Sequence, residues 1–167
     1  VCVSVGAGCI IGGVHKGFAD LVALGWIDRM PRIYGVQSSG SAYLAEAWAG
    51  GEDPLTKPAI AATTVADSIS AGLPRDRLKA IRAVESTDGA YVTVSDGQIL
   101  DAVPAMARGS GVFGEPAGAA AWAGAVEAAR LGMVGPNDRV VVINTGNGLK
   151  DIASARTAAD RTGTEAV

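Results

Sequence analysis

Apolar residues along this chain fall in short runs that alternate with stretches of helical spacing. Val1–Val5 is an apolar run of strand length. Val14, Phe18, Leu21 and Val22 then share one helical stripe, and Gly25 supplies its stop. Arg32–Gln37 reads as a second strand. Ser41–Ala49 is an Ala-rich helix closed by Gly50 and Gly51, and Pro54 and Pro58 mark a loop. Thr63–Ser70 and Arg75–Glu85 both carry a helical pattern, and Ala90–Val94 is a third strand. Ser95 and Gln98 have the spacing of a capping box, ahead of Ile99, Leu100, Val103, Met106 and Ala107 at helical intervals. Glu115 and Pro116 open another helix, because proline suits a first turn; it passes Trp122 and Val126 and ends at Gly132. Pro136–Asp138 turns into Arg139–Asn144, a strong fourth strand. After Lys150 the sequence becomes polar and Ala/Thr-rich, the pattern of a weak helix or a frayed tail.

Strands separated by helices predict an α/β fold: a mostly parallel sheet with helices on both faces and right-handed crossovers. The strands are Val-rich, as burial on both sides requires. In such sheets ligands bind beyond the carboxyl ends of the strands. Two glycine-rich turns follow strands here, Gly6–Gly13 and Thr145–Gly148. The first runs directly into a helix, whose free N–H groups and partial positive charge suit a phosphate. It is either such a cup or an ordinary tight strand-to-helix turn. The two turns could meet over one ligand.

A dinucleotide is the first ligand to test. Its G-x-G-x-x-G/A fingerprint needs Gly or Ala at position 11, where Ile11 stands, and the second strand ends in Gln37 and Ser38 rather than in an acid. No Gly-Lys-Ser/Thr follows the turn, so the Walker pattern fails as well. A smaller phosphate ester remains.

Composition narrows the picture further. Of 167 residues 49% are apolar and only 5% aromatic, which fits one domain packed with small side chains. The net charge is −3, with no basic run to suggest nucleic acid. No apolar stretch approaches the ~20 residues of a membrane span. Cys2 and Cys9 read as reduced thiols of a cytoplasmic protein, and Cys9 as a small packed thiol. No Cys/His cluster has metal-ligand spacing. The single histidine, His15, reads as a helix-surface or packing residue. The chain opens at Val1, inside a strand, and so reads like the middle of a longer protein.

Five segments are more specific: VSVGAGCIIGGVHKGF, LGWIDRMPRIYGVQSSGSA, TVADSI, GVFGEPAGAAAWAG and VVVINTGNGLKD. In their order and spacing they resemble the C-terminal part of the threonine synthases, which belong to the fold-type-II (tryptophan synthase β-like) pyridoxal-phosphate (PLP) enzymes. The resemblance runs from Val1 to about Asp151. It implies that residues 1–151 are the C-terminal portion of a PLP-binding large domain and residues 152–167 a weakly structured tail. Serine/threonine dehydratases share the glycine turn and an EP segment and are the nearest competitors.

By this resemblance Gly6, Ala7, Gly8, Cys9 and Ile10 hold the PLP phosphate through backbone N–H groups. Ala7 stands where many relatives have Asn or Asp, which removes one side-chain contact and leaves the backbone donors. Thr145 offers a neutral hydroxyl to the pyridine nitrogen, a weaker electron sink than an acid there would create, or simply caps a helix or turn. Glu115 lies near the cofactor in relatives, or simply complements a helix N-terminus. Ser38, Ser39 and Ser41 either border the substrate or are solvated loop residues. The Schiff-base lysine of the family lies earlier in the relatives; Lys16, Lys57, Lys79 and Lys150 all lack its sequence context. The implied whole enzyme turns O-phosphohomoserine into threonine and phosphate. This chain alone is expected to be inactive, and to pair with an N-terminal half or with itself through an exposed sheet edge. A non-catalytic binding or assembly domain is the alternative from another class.

Overall fold

The structure, a computed structural model, describes residues 1–163. β1 (Cys2–Ser4) enters the glycine turn and α1 (Cys9–Ala23). β2 (Tyr34–Ser38) is followed by α2 (Tyr43–Gly50), and α3 (Arg77–Glu85) leads into β3 (Ala90–Val94). Two long helices come next, α4 (Asp96–Ser110) and α5 (Pro116–Arg130), then β4 (Val142–Ile143) and α6 (Ile152–Arg161). The sheet order is β3-β2-β1-β4 and every pairing is parallel. The α/β fold expected from the pattern is therefore the fold observed.

Strand alternation sorts the core into two faces. Cys2, Tyr34, Val36, Ala90, Val92 and Val94 point toward α4 and α5, where Ile99, Val103, Met106 and the alanines of α5 close the core. Val3, Val5 and Tyr91 point to the other face, with Ile11 of α1, Leu44 of α2 and Ile81 and Val84 of α3. Small residues let α5 lie close to the sheet: a Cβ on Gly124 would enter the side chain of Val36. On the other face the wholly buried Gln37 takes the place of an N-cap. Its Oε1 accepts the N–H groups of Leu44 and Ala45, both at 2.9 Å.

The capping box is present: Ser95 Oγ accepts the Gln98 N–H at 3.2 Å, and Gln98 Oε1 accepts the Ser95 N–H at 2.8 Å. Three segments depart from the sequence reading. Thr63–Ser70 is not a helix; only Asp67–Ile69 makes a 3-10 turn. Its first residues are drawn out instead, because Asp96 accepts the Thr64 hydroxyl at 2.5 Å and the Val65 N–H at 3.1 Å. The fourth strand pairs over two residues rather than six. It lies at the sheet edge, where Val140 and Val141 remain 43% and 57% exposed among the described residues. The stripe of Val14, Phe18, Leu21 and Val22 is only half-buried, and Ile11 is the α1 residue that reaches the core.

The Ala/Thr-rich stretch after Lys150 is helical over Ile152–Arg161. It is anchored on α4 by the buried Ala158 and by Arg161 Nε–H donating to Asp101 at 2.9 Å. The end of the expected tail, residues 164–167, lies outside the described residues.

Candidate functional site

The two glycine turns lie side by side at the carboxyl end of the sheet. Cys2 is in register with Val142 and Val3 with Ile143, so β1 and β4 run out together into Gly6–Gly13 and Thr145–Gly148. The Ser4 and Thr145 hydroxyls are 3.4 Å apart. Thr145 itself is exposed.

Within the first turn Gly6 and Gly8 are buried, Ala7 is half-buried, and Cys9 and Ile10 face solvent. Gly8 is the N-cap of α1 with φ 92°, and no side chain caps the helix. The first helical bond runs from the Gly12 N–H to the Gly8 carbonyl (3.2 Å), which leaves the N–H groups of Cys9, Ile10 and Ile11 without helical acceptors. α1 carries no acidic residue of its own in the first turn, and the nearby Asp76 carboxylate is engaged by the Cys9 thiol and Lys79. An uncapped N-terminus of this kind is matched to an anion.

The glycines serve the protein's own packing as much as any ligand. A Cβ on Gly6 would come within 2.8 Å of Ile69 Cα, and one on Gly8 within 3.0 Å of the Asp76 carbonyl. The Ala7 carbonyl also accepts the Asp76 N–H at 2.9 Å. The turn therefore rests on the segment from Ile69 to Asp76.

Cys9 is not the packed thiol the sequence suggested; it is exposed, while Cys2 is buried. Hydrogen bonding to the Asp76 carboxylate pushes the Cys9 thiol above its usual range, so it is held as a protonated donor rather than as a thiolate.

The second turn is laced to the start of α5. The Glu115 N–H donates to the Gly146 carbonyl at 3.1 Å and the Gly148 N–H to the Phe113 carbonyl at 2.9 Å. The Glu115 carboxylate, almost fully buried, takes the space that a Cβ on Gly146 would need. It accepts the Lys150 ammonium at 2.7 Å, and Lys150 also bonds Ser68. Asn144 Oδ1 is buried without a partner, against Gly114 and Gly118.

The other candidate side chains have partners of their own or face solvent. Ser38 donates to Asp96 at 3.1 Å and Ser41 to the Ile69 carbonyl at 3.2 Å, so both buried hydroxyls hold loops together, and Ser39 is exposed. His15 Nε2 meets Ser86 at 2.9 Å on the outer helices. Each lysine has a carboxylate: Lys16 with Asp20, Lys57 with Glu52, Lys79 with Asp76 and Lys150 with Glu115. Hydrogen bonds to those partners hold Lys57, Lys79 and Lys150 above the ordinary lysine range, the direction opposite to that of a nucleophilic amine.

Asp96 and the Glu115–Lys150 pair were not foreseen as partners. They join residues 32 and 35 positions apart, and only the Glu115 and Lys150 motifs themselves could have drawn attention to them.

A cavity of about 1110 Å³ lies at the opposite end of the sheet, lined among others by Arg29, Arg32, Tyr34, Arg139 and Val140. Among the described residues no helix is long and apolar enough to cross a membrane, and no group of three His, Cys, Asp or Glu is placed to hold a metal.

The parallel sheet thus carries, at one end, a glycine turn that opens an uncapped helix and, beside it, a second glycine-containing turn. The chain belongs to the pyridoxal-phosphate dependent enzymes, whose family model matches residues 1–146. It is 34% identical over 163 residues to the threonine synthase of Methanocaldococcus jannaschii, covering 96% of this chain and 39% of that protein. It is 38% identical over 136 residues to the threonine synthase of Mycobacterium tuberculosis, covering 81% and 35%. The chain thus spans less than half the length of these curated relatives.

Among solved structures it resembles threonine deaminase isoform 2 of Solanum lycopersicum (TM-score 0.73, 21% identity, 96% of this chain and 43% of that one). It also resembles an L-serine ammonia-lyase from Rhizomucor miehei (TM-score 0.71, 22% identity, 96% and 50%). The shared fold is that of the fold-type-II PLP enzymes, of which this chain forms part of one domain.

Proposed function

We propose that this chain supplies the phosphate cup and the pyridine contact of a threonine-synthase-like enzyme, which turns O-phosphohomoserine and water into threonine and phosphate. The observation that carries the reading is the β1–β4 register, which brings the uncapped start of α1 beside Thr145. The residues present fit PLP. The N–H groups of Gly6, Ala7, Gly8, Cys9 and Ile10, with the α1 dipole behind them, bind the phosphate. Thr145 meets the ring nitrogen with a neutral hydroxyl, which does not hold it protonated as a carboxylate would. When bound, PLP supplies the electron sink for elimination and replacement at the amino-acid side chain. The greater identity to threonine synthases favours this activity over that of the dehydratases.

In this reading the covalent anchor is none of this chain's lysines: all four lack the sequence context of the family's Schiff-base lysine, and carboxylate partners hold Lys57, Lys79 and Lys150 above the ordinary lysine range. The chain alone is then inactive, and residues outside it complete the site. The test is to incubate the chain with PLP, reduce with borohydride and map the adduct. Scattered, substoichiometric labelling without turnover is expected. Uniform labelling of one lysine together with turnover contradicts the reading.

A second reading, an assembly domain, rests on one observation: the β4 edge leaves Val140 and Val141 exposed. Size-exclusion chromatography tests it. Self-association, or capture of an N-terminal half, supports it, and a strictly monomeric chain that takes up no partner contradicts it.

A further inference from the structure

Lys150 links the two turns by a second route besides the Ser4–Thr145 contact. Its ammonium meets the buried Glu115 carboxylate at 2.7 Å, and Glu115 grips the Thr145 turn from behind through its N–H and the Gly146 carbonyl. The same ammonium bonds Ser68. Ser68 immediately precedes Ile69, the residue against which Gly6 is packed. The lysine therefore ties the Thr145 turn to the segment on which the glycine turn rests.

We propose that Lys150 is a positioning residue: anchored by Glu115 and bonded to Ser68, it fixes the separation of the two turns so that one ligand meets both. This rests on the cofactor reading above. A ligand that touches only the glycine turn is indifferent to that separation. A ligand carrying both a phosphate and a pyridine ring is not. Pyridoxine 5′-phosphate, which has no aldehyde and needs no lysine, is the two-ended probe, and inorganic phosphate is the one-ended one.

Both affinities are measured on the unaltered chain and on Lys150→Met, Lys150→Arg and Ser68→Ala, with amide shifts locating the bound ligand and thermal unfolding checking each fold. In Lys150→Met inorganic phosphate is expected to bind within about twofold of the unaltered chain, while pyridoxine 5′-phosphate loses about three- to tenfold, the worth of one hydrogen bond. Lys150→Arg, which keeps the charge, restores most of that loss. Ser68→Ala, at an exposed position, shows a smaller loss of the same kind and serves if Lys150→Met does not fold. Equal weakening of both probes, or no weakening of the two-ended one, overturns the proposal. If the unaltered chain binds neither probe at the glycine turn, the cofactor reading itself falls, and this proposal with it.

Discussion

The hydroxyl of Thr145 stands 3.4 Å from that of Ser4, although 141 residues separate them. The contact exists because β1 and β4 are parallel neighbours that end together. Thr145→Val keeps the shape and removes the hydroxyl. Because Thr145 is exposed, chemical denaturation should show a stability change within about 0.5 kcal/mol. A fluorescence titration should show pyridoxine 5′-phosphate binding weakened about three- to tenfold. Unchanged binding would remove Thr145 from the site.

Asp96 gathers three donors: the hydroxyls of Ser38 and Thr64 and the Val65 N–H. Asp96→Ala leaves all three without that acceptor. The expected cost is about 2–3 kcal/mol in urea denaturation, since hydrogen bonds to a charged group are the stronger kind. A cost below about 0.5 kcal/mol would show that the loop from Thr63 to Ile69 is held by other means.

The contrast between Asp96 and Ser95 shows what the sequence could and could not tell. Ser95 meets Gln98 three residues on, so the capping box is local and was legible. Asp96 meets Thr64, 32 residues away, and that pairing overrides the helical pattern of Thr63–Ser70. The fourth strand failed for a related reason. Val140 to Val142 promise a buried strand, but pairing depends on neighbours, and among the described residues β4 has one only on the β1 side. The two turns were visible because glycine and helix starts are local signals. The Lys150–Glu115–Ser68 link was not, because it joins three separate motifs.

Gly124 tests the packing of α5. Gly124→Ala would drive a methyl into Val36 at the centre of the sheet. Overpacking of this kind costs roughly 1–3 kcal/mol. Urea denaturation reads it directly, and a neutral or stabilising result would mean that α5 can move away from β2 freely.

The Lys150–Glu115 pair has a pH signature. The hydrogen bond to Glu115 holds the Lys150 ammonium above its ordinary value of 10.5; partial burial opposes this, and the charges of Glu115, Asp67 and Asp151 add to it. A pKa higher in the folded chain means that the folded state holds this proton more tightly. The contribution is therefore complete below the unfolded value and disappears as pH rises through the folded one. The stability difference between the unaltered chain and Lys150→Met should be level up to about pH 10 and shrink above it. Lys57 and Lys79, also held high, cancel in the difference. A difference that grows with alkalinity would contradict the assignment.

The most direct measurement is a map of backbone amide shifts on the unaltered chain as pyridoxine 5′-phosphate is added. The largest changes are expected at Gly6–Ile10 and Thr145–Gly148, saturating together as one site. Changes confined to the cavity lined by Arg29, Arg32 and Arg139, at the other end of the sheet, would contradict the account, as would no change at either glycine turn.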